Sequence, residues 1–256
     1  MISAEALSVL ERSTCRETLV FLPPSPRLDR KLYQEVNEVL SRLGGKWKGE
    51  KVQAHVFDED PAPLLATVVD TGEMPPKNPL AFFATPAPMV DRMLQIIGGA
   101  LAHTRLALEP SAGEGAILRR LVSFNHLERA VDAVEIDPKR CARLRAAGFA
   151  VTEADFLAFQ PVPPGARYGA VVMNPPFTAP GDPLAYIAHI RHAHSLLAPG
   201  GELVSVAPNG FTTRTDRRCS AFREFVEEHG SWEPCEPGAF KESGTGVACV
   251  LVHLRA

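Results

Sequence analysis

The sequence lacks the marks of several protein classes. No apolar run approaches the roughly 18 residues needed to cross a bilayer, which argues against a membrane span. The opening MISAEALSVLERSTC carries acidic residues inside its apolar stretch, unlike a secretory signal. The five cysteines (Cys15, Cys141, Cys219, Cys235 and Cys249) form no CxxC and have no histidine at zinc spacing. Such an odd, dispersed set points to reduced thiols and a cytoplasmic setting. Neither sign of charge dominates: the net charge is −3 and the isoelectric point near 6.3. That balance argues against a protein that coats nucleic acid indiscriminately, while leaving room for a local basic groove. Internal repeats and low-complexity tracts are missing too. What is present is 256 residues, 45% hydrophobic and 22% charged. That is enough for one large α/β domain, or for a core domain with a smaller appendage.

From about residue 104 short apolar runs alternate with helical patterns. Strands are expected at 104–110, 130–137, 149–155, 168–174, 202–208 and 246–256. Helices are expected at 115–124, 138–148, 182–197 and 217–230, with the third closed by Pro199-Gly200-Gly201. This alternation implies a mostly parallel sheet covered on both faces, with any ligand bound beyond the carboxyl ends of the strands. Residues 1–80 differ. TLVFLPPSP reads as a short strand with a proline-rich break, and LDRKLYQEVNEVLSRL as a helix ending at Gly44-Gly45. KWKGEKVQAHVF is basic and strand-rich, and DPAPLLATVVDTG reads as a short helix. TGEMPPKNP is the best linker, which divides the chain into a small α/β extension at 1–78 and a main domain at 79–256.

The stretch LALEPSAGEGAI places Glu109, Gly113 and Gly115 directly after the first strand of the main domain. A dinucleotide fold would seat a pyrophosphate on GxGxxG, but Leu118 stands where the third glycine belongs. Glu109 and Glu114 would repel a pyrophosphate and welcome a cation. A plain glycine turn between strand and helix remains the alternative. The second strand ends in Glu135, where an acid could bond a ribose diol, and the third in Asp155-Phe156. Asp155 could accept from an adenine amino group while the ring packs beside the base. Acids at three consecutive strand ends describe a pocket for a positively charged adenosine.

The fourth strand runs VVM into Asn174-Pro175-Pro176-Phe177. Prolines cannot extend a ladder, so the strand stops there. With these residues the chain resembles the S-adenosylmethionine-dependent amino-methyltransferases, which carry [DN]PP[YFW] after that strand. The resemblance implies a Rossmann-like class I methyltransferase fold: α/β, with a mostly parallel seven-stranded sheet and an antiparallel last strand. It also implies a chemistry. The Asn174 side-chain oxygen and the Pro175 carbonyl would accept hydrogen bonds from a planar NH₂, pulling its nitrogen toward tetrahedral geometry. Phe177 would stack on the substrate, and Pro175 and Pro176 would stiffen the loop.

The likeness extends further. LAFFATPAPMVDRML resembles the FxTP motif of adenine-N6 methyltransferases, which implies that Phe83, Thr85 and Pro86 line the methionine end of the cofactor. Thr85 before Pro86 is also good helix-capping chemistry. By the same likeness Glu109, Pro110, Ser111, Ala112, Gly113, Gly115, Glu135, Ile136, Asp155, Phe156 and Asn174 complete the cofactor site. GAFKESGTGVACVLVHL places Lys241, Ser243 and Thr245 in a glycine loop before the last strand. With GGKWKGEKVQAHVFDEDP, these segments resemble phage- and plasmid-associated adenine-N6 DNA methyltransferases over nearly the whole chain. The long target-recognition insertion of restriction-type enzymes is missing. Sequence readout would then fall to residues 1–80 or to loops, or be weak.

Two basic clusters are candidate nucleic-acid contacts: Arg214, Arg217 and Arg218, and Lys46, Trp47, Lys48 and Lys51. Solvated surface charge is the alternative for each. His189, His192 and His194 lie at i, i+3 and i+5, which do not share one helix face, so no metal site is read there. The expected function is transfer of a methyl group from S-adenosylmethionine to adenine N6 in DNA. Methylation of a base amine in RNA or a glutamine amide in protein stays open, as does a catalytically silent module that keeps the cofactor fold.

Overall fold

The computed structural model describes residues 1–49, 52–75, 83–123, 131–241, 243 and 246–256. It separates into two compact units, Met1–Pro79 and Leu80–Ala256.

The first unit contains α1 (Ala4–Glu11), β1 (Thr14–Arg16), β2 (Leu19–Phe21), α2 (Arg30–Arg42), β3 (Lys46–Lys48), β4 (Ala54–Val56) and α3 (Ala62–Thr71). Its strands form an antiparallel sheet in the order β1-β2-β4-β3. Helix α1, which the sequence pattern did not reveal, starts at Ser3, whose hydroxyl accepts from the Ala6 N–H. The same serine donates from its own N–H and Oγ to the Glu35 carboxylate of α2, at 2.8 and 2.7 Å. Asp29 caps α2 by accepting from the Leu32 N–H. The apolar faces meet in a core that includes Val9, Leu10, Val20, Val36, Leu40 and Phe57.

The second unit contains α4 (Ala87–His103), β5 (Ala107–Glu109), α5 (Ala116–Ser123), β6 (Val131–Glu135), α6 (Pro138–Ala146), β7 (Thr152–Glu153) and β8 (Tyr168–Met173). Then follow α7 (Ala185–Ser195), β9 (Leu197–Pro208), α8 (Arg217–His229), β10 (Gly230–Pro234) and β11 (Cys249–Arg255). One seven-stranded sheet takes the order β10-β11-β9-β8-β5-β6-β7. Ladders from β9 to β7 are parallel, and β11 runs against both its neighbours. The period-two alternation of a strand divides the core between the two faces. Ala107, Ala170, Val172, Val204 and Val206 pack with α4 and α5. Leu108, Val171, Met173, Leu203 and Ala207 pack with α7 and α8. Both faces are therefore covered, which is why β8 reads as an unbroken apolar run.

Two expected boundaries change. Pro199-Gly200-Gly201 does not close α7 from outside the sheet but lies within β9. There the pairing with β8 shifts register between Tyr168 and Ala170, and Gly200 takes φ +74°. The third expected strand shortens to Thr152–Glu153 at the sheet edge, where a single neighbour supplies its ladder. The seventh strand, β10, was not legible as a separate element.

Topology now fixes where a site can be. The chain leaves β5 toward β6 and β7 on one side and later returns to β8 on the other. The switch point is thus the gap beyond the carboxyl ends of β5 and β8, where open parallel sheets bind ligands. The glycine loop follows β5, and NPPF follows β8.

Candidate active site

Three acids converge on that edge. Glu109 ends β5 and is 1% exposed, Glu135 ends β6 and is 5% exposed, and Asp155 follows β7 on the surface. The glycine loop folds over the β6 end. Ala112 donates its N–H to the Val134 carbonyl at 2.9 Å, and Gly113, at φ +54°, donates to Glu135 Oε2 at 2.6 Å. Glu135 Oε1 accepts from the Asp137 N–H at 2.9 Å, with Arg140 at 3.7 Å. Glu135 is therefore held rigid by the backbone around it, with lone pairs left over. Pro110 and Ala112 are buried and Ser111 half-buried where the loop leaves β5, and Gly115 at φ +81° directly precedes α5.

Glu109 is different. Its Oε2 is buried without a hydrogen-bond partner. Burial first, and the neighbouring Glu135 charge second, raise its pKa well above the ordinary 4.5, while Arg119 and the Leu118 N–H pull weakly the other way. A buried carboxyl with an unpaired oxygen is costly unless something cationic or donating meets it.

Beyond β6 and β7 the apolar residues sort differently from the expectation. Phe156 is 4% exposed and packs against Phe159 and the rings of His189 and His192, so it supports the pocket rather than lining it. Ile136 is 51% exposed and Leu157 43% exposed, and these are the apolar side chains offered at that edge. Leu157 was not read from the sequence. Its signal is the 3-10 turn at Phe156–Ala158, capped by Asp155 accepting from the Leu157 N–H at 2.9 Å. The turn directs Phe156 inward and its neighbour outward. His189 donates from Nδ1 to the Ala185 carbonyl, and burial lowers its pKa. Among the described residues no cluster of three metal-ligating side chains occurs.

At the end of β8, Asn174 is half-buried. Its Nδ2 lies 3.1 Å from the Phe83 carbonyl and 3.1 Å from Thr85 Oγ1. Its Oδ1, like the Pro175 carbonyl, meets no donor among the described residues. Thr85 is 8% exposed and does not cap α4, whose N-cap is Pro86 without a side-chain bond. Its hydroxyl serves Asn174 instead. Ser243 Oγ donates to the Ala84 carbonyl at 2.7 Å, tying the C-terminal glycine loop to the same segment. Phe83 and Phe177 face each other with centroids 6.5 Å apart and planes at 34°. Phe177 is 7% exposed and belongs to the core beside Phe240, so only a small part of the ring is open to a planar partner. Pro176 is half-buried beside it.

The proposed nucleic-acid contacts separate into kinds. Arg218 makes a bidentate pair with Asp182 at 2.7 and 2.9 Å and also reaches the Leu184 carbonyl. Arg214 pairs with Asp216 at 2.8 Å. Arg217 and Lys241 are exposed, with no side-chain bond among the described residues. Lys46, Trp47 and Lys48 are exposed on β3, an edge strand of the first unit. Lys51 and Thr245 lie outside the described residues.

The sheet order, the lone reversed strand and the covering helices define the fold of class I S-adenosylmethionine-dependent methyltransferases. Solved structures sharing it include a Streptococcus thermophilus methyltransferase subunit of a type I restriction-modification system, at 18% identity and TM-score 0.57 over 67% of this chain and 44% of that one. The M protein of type I restriction enzyme EcoKI matches at 15% identity and TM-score 0.53, over 90% of this chain and 55% of its own. A Listeria monocytogenes protein described as a class I S-adenosylmethionine-dependent methyltransferase matches at 15% identity and TM-score 0.54, over 67% and 60%. This chain thus spans less than two thirds of each of these proteins. No protein-family model matches the chain, and no curated protein matches it in sequence.

Proposed function

We propose that the second unit is an S-adenosylmethionine-dependent amino-methyltransferase acting on adenine N6 in DNA. The observation that carries this reading is the polarity of Asn174. Its two amide hydrogens are directed at protein acceptors, which leaves Oδ1 as an acceptor, as is the carbonyl of the next residue, Pro175, which meets no donor among the described residues. Two such acceptors suit a target that donates two hydrogen bonds, an NH₂ group, and disfavour a carbonyl or an unprotonated ring nitrogen.

The residues at the strand ends fit the cofactor. Orphaned Glu109 Oε2 is the group a cationic ligand would satisfy. Glu135 and Asp155 keep acceptor capacity for a ribose and an amino group, and Ile136 and Leu157 offer apolar contact to a base. When bound, S-adenosylmethionine supplies an electrophilic methyl group on a sulfonium. The protein's part is orientation. Asn174 and Pro175 would draw both N–H hydrogens of the amine to one side, freeing the lone pair on the other. Buried Pro175 and half-buried Pro176 hold those acceptors stiff. No strong base is required, because a nitrogen that has gained a methyl group becomes acidic enough to release its proton to water.

DNA is favoured over RNA and protein by the chain's resemblance to adenine-N6 DNA enzymes at FFATP and FKESGTGV. The restriction-modification subunits that share the fold support the same choice. A base in a duplex must be flipped out at a cost of a few kcal/mol. Among the described residues, exposed Arg217 and Lys241 are cations without a side-chain bond that could hold the DNA backbone.

The test is to compare the wild type with Asn174→Ala for methyl transfer and for cofactor binding by calorimetry. Transfer should fall at least about a thousandfold, as expected for loss of an orienting group, while cofactor affinity stays within a few-fold. A fully active variant would overturn the mechanism.

A further inference from the structure

An asparagine amide can sit either way round, since its oxygen and nitrogen are nearly the same size. Here one neighbour decides. The Phe83 carbonyl can only accept, so the group 3.1 Å from it must be the NH₂. Thr85 Oγ1, 3.1 Å away and nearly buried, takes the second amide hydrogen. Both hydrogens are then committed to the segment before α4, and only the oxygen remains for a substrate. The segment is itself held from the other side by Ser243 on the Ala84 carbonyl.

We propose that Thr85, acting with the Phe83 carbonyl, is a positioning residue that sets the polarity of Asn174, so that this site operates with asparagine and not with aspartate at 174. The inference deepens the amine-methylation reading and rests on it for its catalytic consequence. Position 174 belongs to a motif written Asn-or-Asp, and on the substrate side alone the two residues are interchangeable acceptors. On the protein side they are not. An aspartate would press a carboxylate oxygen against the Phe83 carbonyl, two acceptors with no hydrogen between them. Thr85 can turn its hydroxyl to donate to one carboxylate oxygen, but a backbone carbonyl cannot. The conflict is relieved only when the carboxyl carries a proton that it donates to Phe83.

Among the described residues, the charged groups on the surrounding elements include Glu109 on β5, Asp91 and Arg92 on α4, Asp182 on the segment after NPPF, and Glu236 and Lys241 on the C-terminal loop. None bonds the amide. Asp91 and Arg92 are paired with Arg120 and Glu233, and Asp182 with Arg218. Glu109 at the neighbouring strand end, if ionised, acts against a negative charge at 174 in the same sense as Phe83.

The test uses the full chain with Asn174→Asp, Thr85→Val and Thr85→Ser, read first by thermal unfolding from about pH 5 to about pH 8, a readout independent of substrate. An aspartate held against an acceptor has its pKa raised in the folded state. Its stability contribution is therefore present at low pH and lost as pH rises. The loss begins above the ordinary aspartate pKa of about 3.9, so Asn174→Asp should lie closest to wild type at the pH 5 end and fall several degrees further below it by pH 8. A melting-temperature gap constant across that range overturns the proposal.

The second readout is methyl transfer. Asn174→Asp should lose rate progressively as pH rises, a slope the wild type lacks. Thr85→Val should lower kcat about 5- to 10-fold, the scale of one neutral hydrogen bond, and Thr85→Ser should restore most of it. Serine no better than valine would assign Thr85 a packing role and overturn its part. A wild type that methylates no adenine would overturn the function proposed above, and the unfolding series would still decide the orientation.

Discussion

Glu109 concentrates the argument at the scale of single residues. Its place at a strand end was legible in the sequence, because an acid directly before a glycine turn stands out. Its burial and its unpaired Oε2 were not, since they depend on α5 and β6 closing over it. Because its folded-state pKa is raised, Glu109's own contribution to stability is greatest where it is neutral. Stability is lost as pH climbs from about the ordinary 4.5 through the raised value. Glu109→Gln should remove that slope. Urea denaturation at pH 8 should find the variant more stable by about 1–3 kcal/mol, the usual cost of an unsatisfied buried group. The same variant should bind S-adenosylmethionine about tenfold more weakly, some 1.4 kcal/mol, while losing less affinity for the uncharged-sulfur product. Equal stability slopes in the two proteins would show that Glu109 finds a partner in solution. Phe156 and Phe177 illustrate the other limit of sequence reading. Both sit at the expected strand ends, yet both turn largely into the core. An aromatic ring beside a motif looks alike in sequence whether it stacks on a ligand or packs beneath one.

At the scale of elements, long periodic segments were read well and interruptions poorly. Helices α2, α5, α6 and α8 lie where the sequence pattern placed them, because each buries one stripe on one surface. Pro199-Gly200-Gly201 misled because a proline-glycine run ends a helix in most contexts, whereas here it is absorbed as an irregularity inside β9. Gly115 is a more reliable mark. Its φ of +81° is left-handed, and a Cβ there would come within 2.7 Å of Leu144 Cδ2. Gly115→Ala should destabilise the second unit by about 1–2 kcal/mol, measurable as a lower urea midpoint with an unchanged slope. The arginines at the start of α8 divide in the same way. Arg218 is already engaged by Asp182, whereas Arg217 is exposed without a side-chain bond among the described residues. Arg217→Ala should weaken DNA binding and reduce its salt dependence by about one unit of log–log slope. Arg218→Ala should leave that slope nearer the wild-type value. Equal loss in both would mean that the Asp182 pair opens on DNA.

The whole molecule consists of two units, each with its own core. In the first unit β2 falls in the stretch read as a short strand, and β3 and β4 in the stretch read as strand-rich, whereas β1, three residues long, was too short for its pattern to show. Part of the expected linker TGEMPPKNP lies outside the described residues. We propose that residues 79–256 hold the chemistry and that residues 1–78 contribute to nucleic-acid recognition, with exposed Lys46, Trp47 and Lys48 as one contact surface. The chain spans only part of the restriction-modification subunits that share its fold, so its choice of sites need not follow theirs. The central claim is nevertheless chemical: an acceptor pair at Asn174 and Pro175 aims an adenine amino nitrogen at a methyl donor. The most direct test incubates the full chain with labelled S-adenosylmethionine and, separately, duplex DNA, single-stranded DNA, RNA and cell protein, then identifies the labelled product by mass spectrometry of nucleosides and peptides. The account predicts N6-methyladenine from DNA, abolished in Asn174→Ala. Label confined to RNA or protein, or no transfer despite cofactor binding, would contradict it.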